Sequence, residues 1–325
     1  MNDAREEAAR VRALDSAVNA ARIALAGAAE SAAGFPWAVA LAVAATLLLW
    51  ASAFVGIRYA VREYDAGGLA LLRNTITAGF MLVLAMASQR SALKPPRLRD
   101  LGLLLAAGAI GIALYQLALI SGERSVDAGT ASLIINTSPI ITALFALLAL
   151  GEHPGGRGWA GLLLGFAGAA LLISGVHGAA AVGGGAWFVL LASAAQAASI
   201  VIQKPLLARF GPIMVTLWVA LFGALCLLPY GPAMLHDLKH AGTTATLAVV
   251  YLGVFSAGIG NLAWAYALSR LPAGRAAAAL YLVAPIAMTI SWFTLDERPT
   301  LQALVGGAVV IASLVLVNTR SRASR

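Results

Sequence analysis

The sequence predicts an all-α polytopic membrane protein with ten transmembrane helices, arranged as two inverted repeats of five helices each. Three observations lead to this fold class: the composition, the length of the apolar runs, and an internal repeat. Of the 325 residues, 61% are hydrophobic and only 11% are charged, and the mean hydropathy is +0.86. Soluble globular domains do not have this composition, so a bilayer is the expected environment of most of the chain.

The apolar runs approach the roughly 20 residues that a helix needs to cross a bilayer. Residues 1–36 carry acids and arginines without a compact apolar core, so they are predicted to be a cytoplasmic extension and not a secretory signal. An amphipathic surface helix and a disordered tail are both open for this segment. The predicted spans are residues 37–60, 68–89, 99–121, 127–150, 157–175, 185–206, 211–230, 244–268, 274–295 and 300–318.

The positive charges indicate how the spans are oriented. With the N-terminus inside, 16 of the 22 lysines and arginines fall in inner segments, five fall in outer segments, and Arg73 lies within the second span. Membrane proteins carry such an excess on the cytoplasmic side. Both termini are therefore predicted to be cytoplasmic, and the net charge of +8 does not indicate a nucleic-acid partner.

A shift of 146 residues aligns the second half of the chain with the first. Each copy holds five spans, an odd number, so the second copy must enter the membrane from the opposite side, and the substrate site is expected between the copies near the bilayer midplane. The aligned pairs are Arg58 with Lys204, Tyr64 with Phe210, Arg124 with Arg270, and Pro139 with Pro285. The predicted parts are an N-terminal extension (1–36), a first repeat (37–175), an outer linker (176–184), a second repeat (185–318) and a cytoplasmic tail (319–325).

Two aligned prolines interrupt apolar spans. Pro139 lies in the fourth span, in "NTSPIITALFALLALGE", and Pro285 lies in the ninth. A proline inside a helix frees a backbone carbonyl, which a membrane tolerates only where a neighbour or a cavity satisfies it. The matching depth predicts a paired hinge or cavity wall. Since prolines are common in transmembrane helices, a simple role in helix packing is the alternative.

The stretch "ASLIINTSPIITALFALLALGEHP" and its second copy "AALYLVAPIAMTISWFTLDERP" resemble the two EamA-type repeats of the drug/metabolite transporter superfamily, in its ten-helix branch. The resemblance covers about residues 40–318. The chain is most similar to bacterial inner-membrane exporters of amino acids, including aromatic amino acids, methionine and threonine. This resemblance implies a carrier with alternating access. It also implies that Glu152 and Glu297 belong to the repeat signature, with a structural or gate role, and that spans five and ten lie away from the cavity.

Polar and aromatic residues near the span centres are candidates for lining a substrate cavity, because such residues are costly at membrane depth. Amides and aromatic faces suit a zwitterionic or neutral small molecule. The alternative for each residue is a bridge between helices or a volume filler. The candidates are Trp50, Ser52, Tyr115, Gln116, Asn136, Thr137, Ser138, Gln196, Asn261, Trp264 and Tyr281.

Arg73 is the charge that lies well inside a span. Its long side chain is expected to reach the nearby interface, and the alternative is a contact with a substrate carboxylate. The acidic residues and histidines lie in the tail, in loops or at span ends, so a proton relay at the midplane has no carrier. Transport is therefore predicted to be facilitative, or coupled through groups near an entrance.

The predicted function is export of amino acids or related small metabolites across the bacterial inner membrane. The alternatives are export of another metabolite or a toxic drug, with or without proton coupling, and a channel or structural membrane protein. An enzyme is not expected, because no nucleophile with a base and no metal-ligand spacing lies at membrane depth. No cofactor or metal is expected, the lone Cys226 is predicted to pack, and the partners are a small-molecule substrate and the lipid bilayer, with the protein a monomer or dimer.

Overall fold

The structure is a computed structural model that describes residues 37–88, 96–123, 134–177, 185–286, 289–290 and 301–318. Every regular element among these residues is helical, so the predicted all-α class is confirmed for this part of the chain. The described residues divide into two units, residues 37–41 and the described residues from 42 to 318. Residues 37–41, the described part of the first unit, are helical, and the second unit contains the core and the candidate site.

The helices follow the apolar runs of the sequence. Four stretches are long and apolar enough to cross a membrane, namely Ala66–Ser88, Leu98–Leu119, Ala186–Cys226 and Thr243–Leu268. Two π-helical segments, π1 (Ala109–Leu114) and π2 (Leu252–Gly260), interrupt the second and the fourth of these stretches. The α-helices are α1 (Trp37–Ala60), α2 (Ala66–Ser88), α3 (Leu98–Gly108), α4 (Tyr115–Glu123), α5 (Ser138–Leu150), α6 (Gly155–His177), α7 (Ala186–Cys226), α8 (Gly231–His240), α9 (Thr243–Tyr251), α10 (Asn261–Leu268), α11 (Ala273–Ala278) and α12 (Leu301–Asn318).

Predicted spans six and seven are continuous in α7, which has 41 residues. A straight helix of that length would measure about 60 Å, roughly twice the hydrocarbon thickness of a bilayer. Gly211 divides α7 into two helical halves, because its backbone has φ 72° and ψ 169°. Residues with a Cβ rarely adopt this conformation, so a glycine is needed at the joint.

Helix α8 is an element that the sequence analysis did not predict. It lies between predicted spans seven and eight, and it is too short to cross a membrane. Much of its surface is exposed, including the side chains of Leu235, Leu238 and Lys239. Its Asp237 accepts a hydrogen bond of 2.7 Å from the backbone N–H of Asp65, which ties α8 to the loop between α1 and α2.

Helices α6 and α12 pack closely through small residues. A Cβ added to Gly161 would lie 2.4 Å from Val317, and one added to Gly168 would lie 2.9 Å from Val309. At Gly165 an added Cβ would approach the Tyr281 ring to 2.6 Å. Stripes of small residues allow the backbones of membrane helices to come together in this way.

The first half of α7 packs against α3 and π1. Ser199 donates a hydrogen bond of 3.2 Å from its hydroxyl to the carbonyl of Ala107. In the second half of α7, the backbone of Gly223 comes so close to Gly108 that a Cβ at Gly108 would lie 2.8 Å from the Gly223 nitrogen. Large buried side chains, including Leu104 and Leu206, fill the core around these contacts.

Helix α2 packs against π2 in a similar manner. The Thr77 hydroxyl donates a hydrogen bond of 2.8 Å to the carbonyl of Gly253. A Cβ added to Gly253 would lie 2.7 Å from Ile76 and 3.1 Å from the carbonyl oxygen of Arg73. A π turn leaves carbonyls outside the regular α pattern, and here a neighbouring hydroxyl satisfies one of them.

Two carboxylates hold the starts of α3 and α9 to other helices. Arg209 in α7 donates a hydrogen bond of 2.6 Å to Asp100, in the first turn of α3. Glu63, just after α1, accepts a hydrogen bond of 2.5 Å from the backbone N–H of Gly242, the residue that precedes α9. Negative charge near a helix N-terminus is favourable because of the helix dipole.

Candidate functional site

Two predicted lining residues, Trp50 and Trp264, meet across α1 and α10. Their ring centroids are 5.6 Å apart and the planes are tilted by 41°. Gly260, at the end of π2, makes room for them, since a Cβ there would lie 3.0 Å from the indole nitrogen of Trp50. Half a turn beyond Trp50, the Ser52 hydroxyl lies 2.6 Å from the hydroxyl of Tyr251. Tyr251 was not among the residues predicted from the sequence.

Tyr115 and Asn261 are each the first residue after a π-helical segment. Tyr115 follows π1 and Asn261 follows π2. A π segment offsets the helix face beyond it, and such segments are frequent at functional sites. Both side chains are half-buried. The shift of 146 residues that relates the two copies aligns Tyr115 with Asn261. The structure adds that the same backbone irregularity precedes each residue.

Pro139 is not in the middle of a continuous helix, so the interior kink predicted for it is wrong. The chain makes a turn at Asn136 and Thr137, and α5 begins at Ser138 with Pro139 in its first turn. A proline costs little there, because the first N–H groups of a helix have no intrahelical acceptor. A hinge at this break remains a prediction, and most of the preceding stretch, residues 124–133, lies outside the described residues.

Hydroxyl groups satisfy the backbone at this break. The Thr137 side chain donates a hydrogen bond of 2.6 Å to the carbonyl of Ile134, and its hydroxyl lies 2.8 Å from that of Ser193 in α7. Ser193 also donates to the carbonyl of Ile135 at 3.4 Å. Non-helical backbone at membrane depth is stable only when it is buried in protein or lines a cavity.

Three predicted amides are half-buried and without a hydrogen-bond partner among the described residues: Gln116 in α4, Gln196 in α7 and Asn261 in α10. The Ser138 hydroxyl is buried and has no partner there either. By contrast, Gln203 donates a hydrogen bond of 2.9 Å to Ser199. Amide groups that no neighbour satisfies are suited to bind a polar guest.

Tyr281 lies away from the tryptophan pair. It is fully buried against α6 and α12, and its hydroxyl donates a hydrogen bond of 3.2 Å to the carbonyl of Leu162. Pro285 lies in the helical residues 283–286, after the 3₁₀ turn Ala279–Leu282, and Glu297 lies outside the described residues. The sequence pattern indicated the depth of Tyr281 but not the side of the helix on which it lies.

Glu152 and Lys204 join the ends of three helices, α5, α10 and α11, to α7, and we name this arrangement the Glu152–Lys204 latch. The Lys204 ammonium lies 3.8 Å from the Glu152 carboxylate and donates to the carbonyls of Leu268, at 2.8 Å, and Leu271. The other carboxylate oxygen accepts a hydrogen bond of 2.5 Å from the N–H of Ala273, the first residue of α11. The cation thus lies at the C-terminus of α10 and the anion at the N-terminus of α11, as their dipoles favour.

Two clefts lie among the described residues. The first, about 460 Å³ including its open mouth, lies beside the latch and is lined partly by Glu152, His153 and Arg275. The second is an apolar groove of about 690 Å³ along Pro212, Ile213 and the 259–266 stretch. Apart from Glu152, the predicted site residues do not line either cleft.

Arg73 lies in α2, within electrostatic range of Tyr115. Its Nε atom is buried and has no hydrogen-bond partner among the described residues.

Several known proteins similar to this chain are named as transporters or exporters. The model of the EamA-like transporter family matches residues 36–174 and again residues 183–319. A probable terminal-alkyne amino-acid exporter of Streptantibioticus cattleyicolor is 39% identical over 89% of this chain and 95% of its own length. The uncharacterized transporter YdfC of Bacillus subtilis is 33% identical over 82% of this chain and 86% of its own length.

A solved crystal structure aligns with this fold at a TM-score of 0.71, covering 86% of this chain and 96% of the other. Its sequence is 19% identical, so the likeness shows the fold alone. The apolar helices and the two family matches define a multi-pass membrane transporter. The chain belongs to the EamA-like transporter family.

Proposed function

We propose that this protein is a carrier of the bacterial inner membrane that exports amino acids or related small metabolites by alternating access. The site lies at the midplane between two inverted repeats of five helices, ten spans in all, with both termini cytoplasmic. The observation that carries the proposal is the meeting of Trp50 and Trp264 beside irregular helices whose amides have no hydrogen-bond partner in the described part of the chain. Discontinuous helices that surround a midplane site are typical of carriers with inverted repeats.

The contacts between helices support the inverted repeat. The six residues of π1, shifted by 146, become the last six of π2, residues 255–260. The same shift aligns Thr77 with Gly223 and Ala107 with Gly253. The contact of α2 with π2 therefore corresponds to the contact of α7 with α3.

The charged contacts at the helix ends follow the same rule. The repeat aligns Arg209 with Glu63, 146 residues earlier, and Asp100 with Thr246 in α9, 146 residues later. Thus the contact of α7 with the start of α3 corresponds to the contact of the α1 end with the start of α9. Tyr64 adds to the second contact, since its hydroxyl lies 2.9 Å from that of Thr246.

The Glu152–Lys204 latch suits a gate at one end of the pathway. It consists of one ion pair and three backbone hydrogen bonds, which can be broken and remade without unfolding a helix. The positive-inside distribution supports a cytoplasmic position for this end, and we propose that the intact latch closes the pathway on that side. Opening requires Lys204 and Glu152 to separate.

The substrate class follows from the lining and from the relatives. Unpartnered amides provide donors and acceptors, and the two indoles provide a face for an apolar side chain or an ammonium group. The relative from Streptantibioticus cattleyicolor, named for an amino-acid substrate, supports the same class. Because the described acidic side chains lie at helix ends and in loops, transport is proposed to be facilitative.

Counterflow in proteoliposomes tests this proposal. Vesicles loaded with an unlabelled amino acid are expected to accumulate the same labelled amino acid saturably, for methionine, threonine or an aromatic amino acid, and to do so equally with and without an imposed pH gradient. Trp50→Ala is expected to reduce the exchange rate at low substrate at least tenfold. Its matched control is Trp187→Ala, since Trp187 is exposed at the start of α7.

The outcomes separate the competing functions. A folded protein that exchanges no amino acid would contradict the proposed substrate class, and a panel of other metabolites and cationic drugs would follow in the same vesicles. Uphill flux that depends on the pH gradient would contradict facilitative transport. Flux that does not saturate and shows no counterflow would indicate a channel.

A further inference from the structure

Arg73 lies deep in α2 and points into the helix bundle. It is seven residues from the first residue of α2, which corresponds to about 10 Å along the axis. Leu82 is exposed, and so are Val83 and Met86. Leu82 lies nine residues after Arg73, which is two and a half helical turns, so the two side chains leave the helix on opposite sides. The exposed face of α2 is the face for lipid, and Arg73 is on the face turned away from it.

The Arg73 guanidinium has no counter-ion among the described residues. Its Nε atom is buried without a hydrogen-bond partner. The two carboxylates nearest to it in sequence are engaged elsewhere, since Glu63 accepts from Gly242 and Asp65 accepts from the N–H groups of Gly67 and Gly68. The side chain that acts on Arg73 electrostatically is the phenol of Tyr115.

Two other cations that join helices of the described fold are paired. Lys204 has Glu152 and two carbonyls, and Arg209 has Asp100. A charge at membrane depth without a counter-ion is costly, so the presence of Arg73 points to a use in which a partner arrives. A guanidinium matches the two oxygens of a carboxylate better than any other side chain does.

The surroundings of Arg73 are those of the proposed site. Tyr115 is the first residue after π1, and the carbonyl of Arg73 lies against Gly253 in π2. Arg73 therefore lies between the two irregular segments. An anion bound to it would lie beside side chains already assigned to the lining.

We propose that Arg73 binds the carboxylate of the transported molecule, so that the carrier selects metabolites with a free carboxylate group. This inference rests on the proposed transport function and narrows its substrate class. It predicts that amino acids are bound, and that their esters and the corresponding decarboxylated amines are bound much more weakly. Cationic drugs without a carboxylate would be poor substrates for the same reason.

The test is inhibition of labelled methionine counterflow by unlabelled methionine, methionine methyl ester and 3-methylthiopropylamine. The wild-type protein is expected to prefer methionine to both analogues by at least tenfold. Arg73→Gln is expected to lose this preference, and Arg73→Lys is expected to keep the preference with weaker binding. Arg62→Gln is the matched control, because Arg62 is exposed in the turn before α2, and this variant should behave as the wild type.

Each outcome decides a separate point. If Arg73→Gln folds and still prefers methionine tenfold, the assignment of Arg73 is wrong while amino-acid transport stands. If Arg73→Gln does not fold, Arg73→Lys decides: an unchanged affinity for methionine contradicts the assignment, and a weakened affinity with the preference kept supports it.

If the wild-type protein exchanges no amino acid, the proposed function fails, and thermal unfolding of the purified protein decides the inference. Carboxylate binding at Arg73 is supported if a panel of small carboxylic acids stabilises the protein, their methyl esters do not, and the stabilisation is absent in Arg73→Gln and weaker in Arg73→Lys. Equal melting temperatures with acids and esters overturn it.

Discussion

The pair formed by α6 and α12 differs from the helices that contain π1 and π2. The pair is regular, and its glycines bring two backbones into contact along Gly161, Gly165 and Gly168. The helices around π1 and π2 change hydrogen-bond pattern in mid-course and bear amides without partners among the described residues. Close regular packing resists movement, whereas π turns and latches can rearrange at low cost. The difference indicates that one region of the fold is a scaffold and the other carries the function.

Gly165→Leu should have the largest effect, because it breaks the scaffold. The added side chain would meet the Tyr281 ring and the Ser313 hydroxyl, since even a Cβ would lie within 2.8 Å of both. Overpacking in a tight core costs about 1–3 kcal/mol for a few added carbon atoms. We expect the loss of monodisperse protein on size-exclusion chromatography in detergent.

The control is Gly102→Leu in α3, where a Cβ would meet no atom within 4 Å. This variant should purify as the wild type does. A stable, active Gly165→Leu protein would show that α6 and α12 can separate, and the distinction between scaffold and functional region would be lost.

Lys204→Met and Glu152→Gln should have the next largest effect, on transport and not on folding. Each removes the ion pair of the latch and leaves its partner at a helix end with a remaining backbone contact. The closed state loses stability relative to the open one, so the carrier spends less time in the conformation that completes the cycle. We expect counterflow to fall at least tenfold, with the melting temperature nearly unchanged.

Lys239→Met, on the exposed surface of α8, is the control for loss of a positive charge. The double variant Lys204→Met, Glu152→Gln should be no worse than either single variant, because both remove the same interaction. Full activity of all three latch variants would argue against a gate at this end.

Gln196→Ala and Asn261→Ala should have the smallest effect, a rise in the substrate KM of about three- to tenfold at an unchanged melting temperature. Loss of one hydrogen bond to a bound guest corresponds to about 0.5–1.5 kcal/mol. Gln203→Ala is the matched control, since its amide is already bonded to Ser199 inside the protein. A drop in stability for Gln196→Ala or Asn261→Ala, with KM constant, would assign these amides to packing.

The positions of several long apolar helices were predictable because a bilayer imposes a minimum length on an apolar run. The second predicted span, residues 68–89, differs from Ala66–Ser88 by two residues at most. The two π segments were not predictable. Their residues, such as Ala109–Leu114, are of the same apolar types as the α-helical residues on either side, and the hydrogen-bond pattern depends on the neighbouring helices.

The candidate site was predictable in part. Depth along a span identified Trp50 and Trp264 as interior residues, and the structure brings them together. The same criterion selected Tyr281, which lies on another side of its helix, against α6. The latch forms because Glu152 contacts Ala273, a residue 121 positions later in the sequence. A local sequence pattern does not indicate a contact over that separation.

Gly211 has a consequence for handling the protein in the laboratory. Gly211 alone joins the two helical halves of α7, so no loop separates them that could accommodate extra residues. A tag, a fluorescent domain or a protease site inserted there would have to pull one half of α7 out of register with the rest.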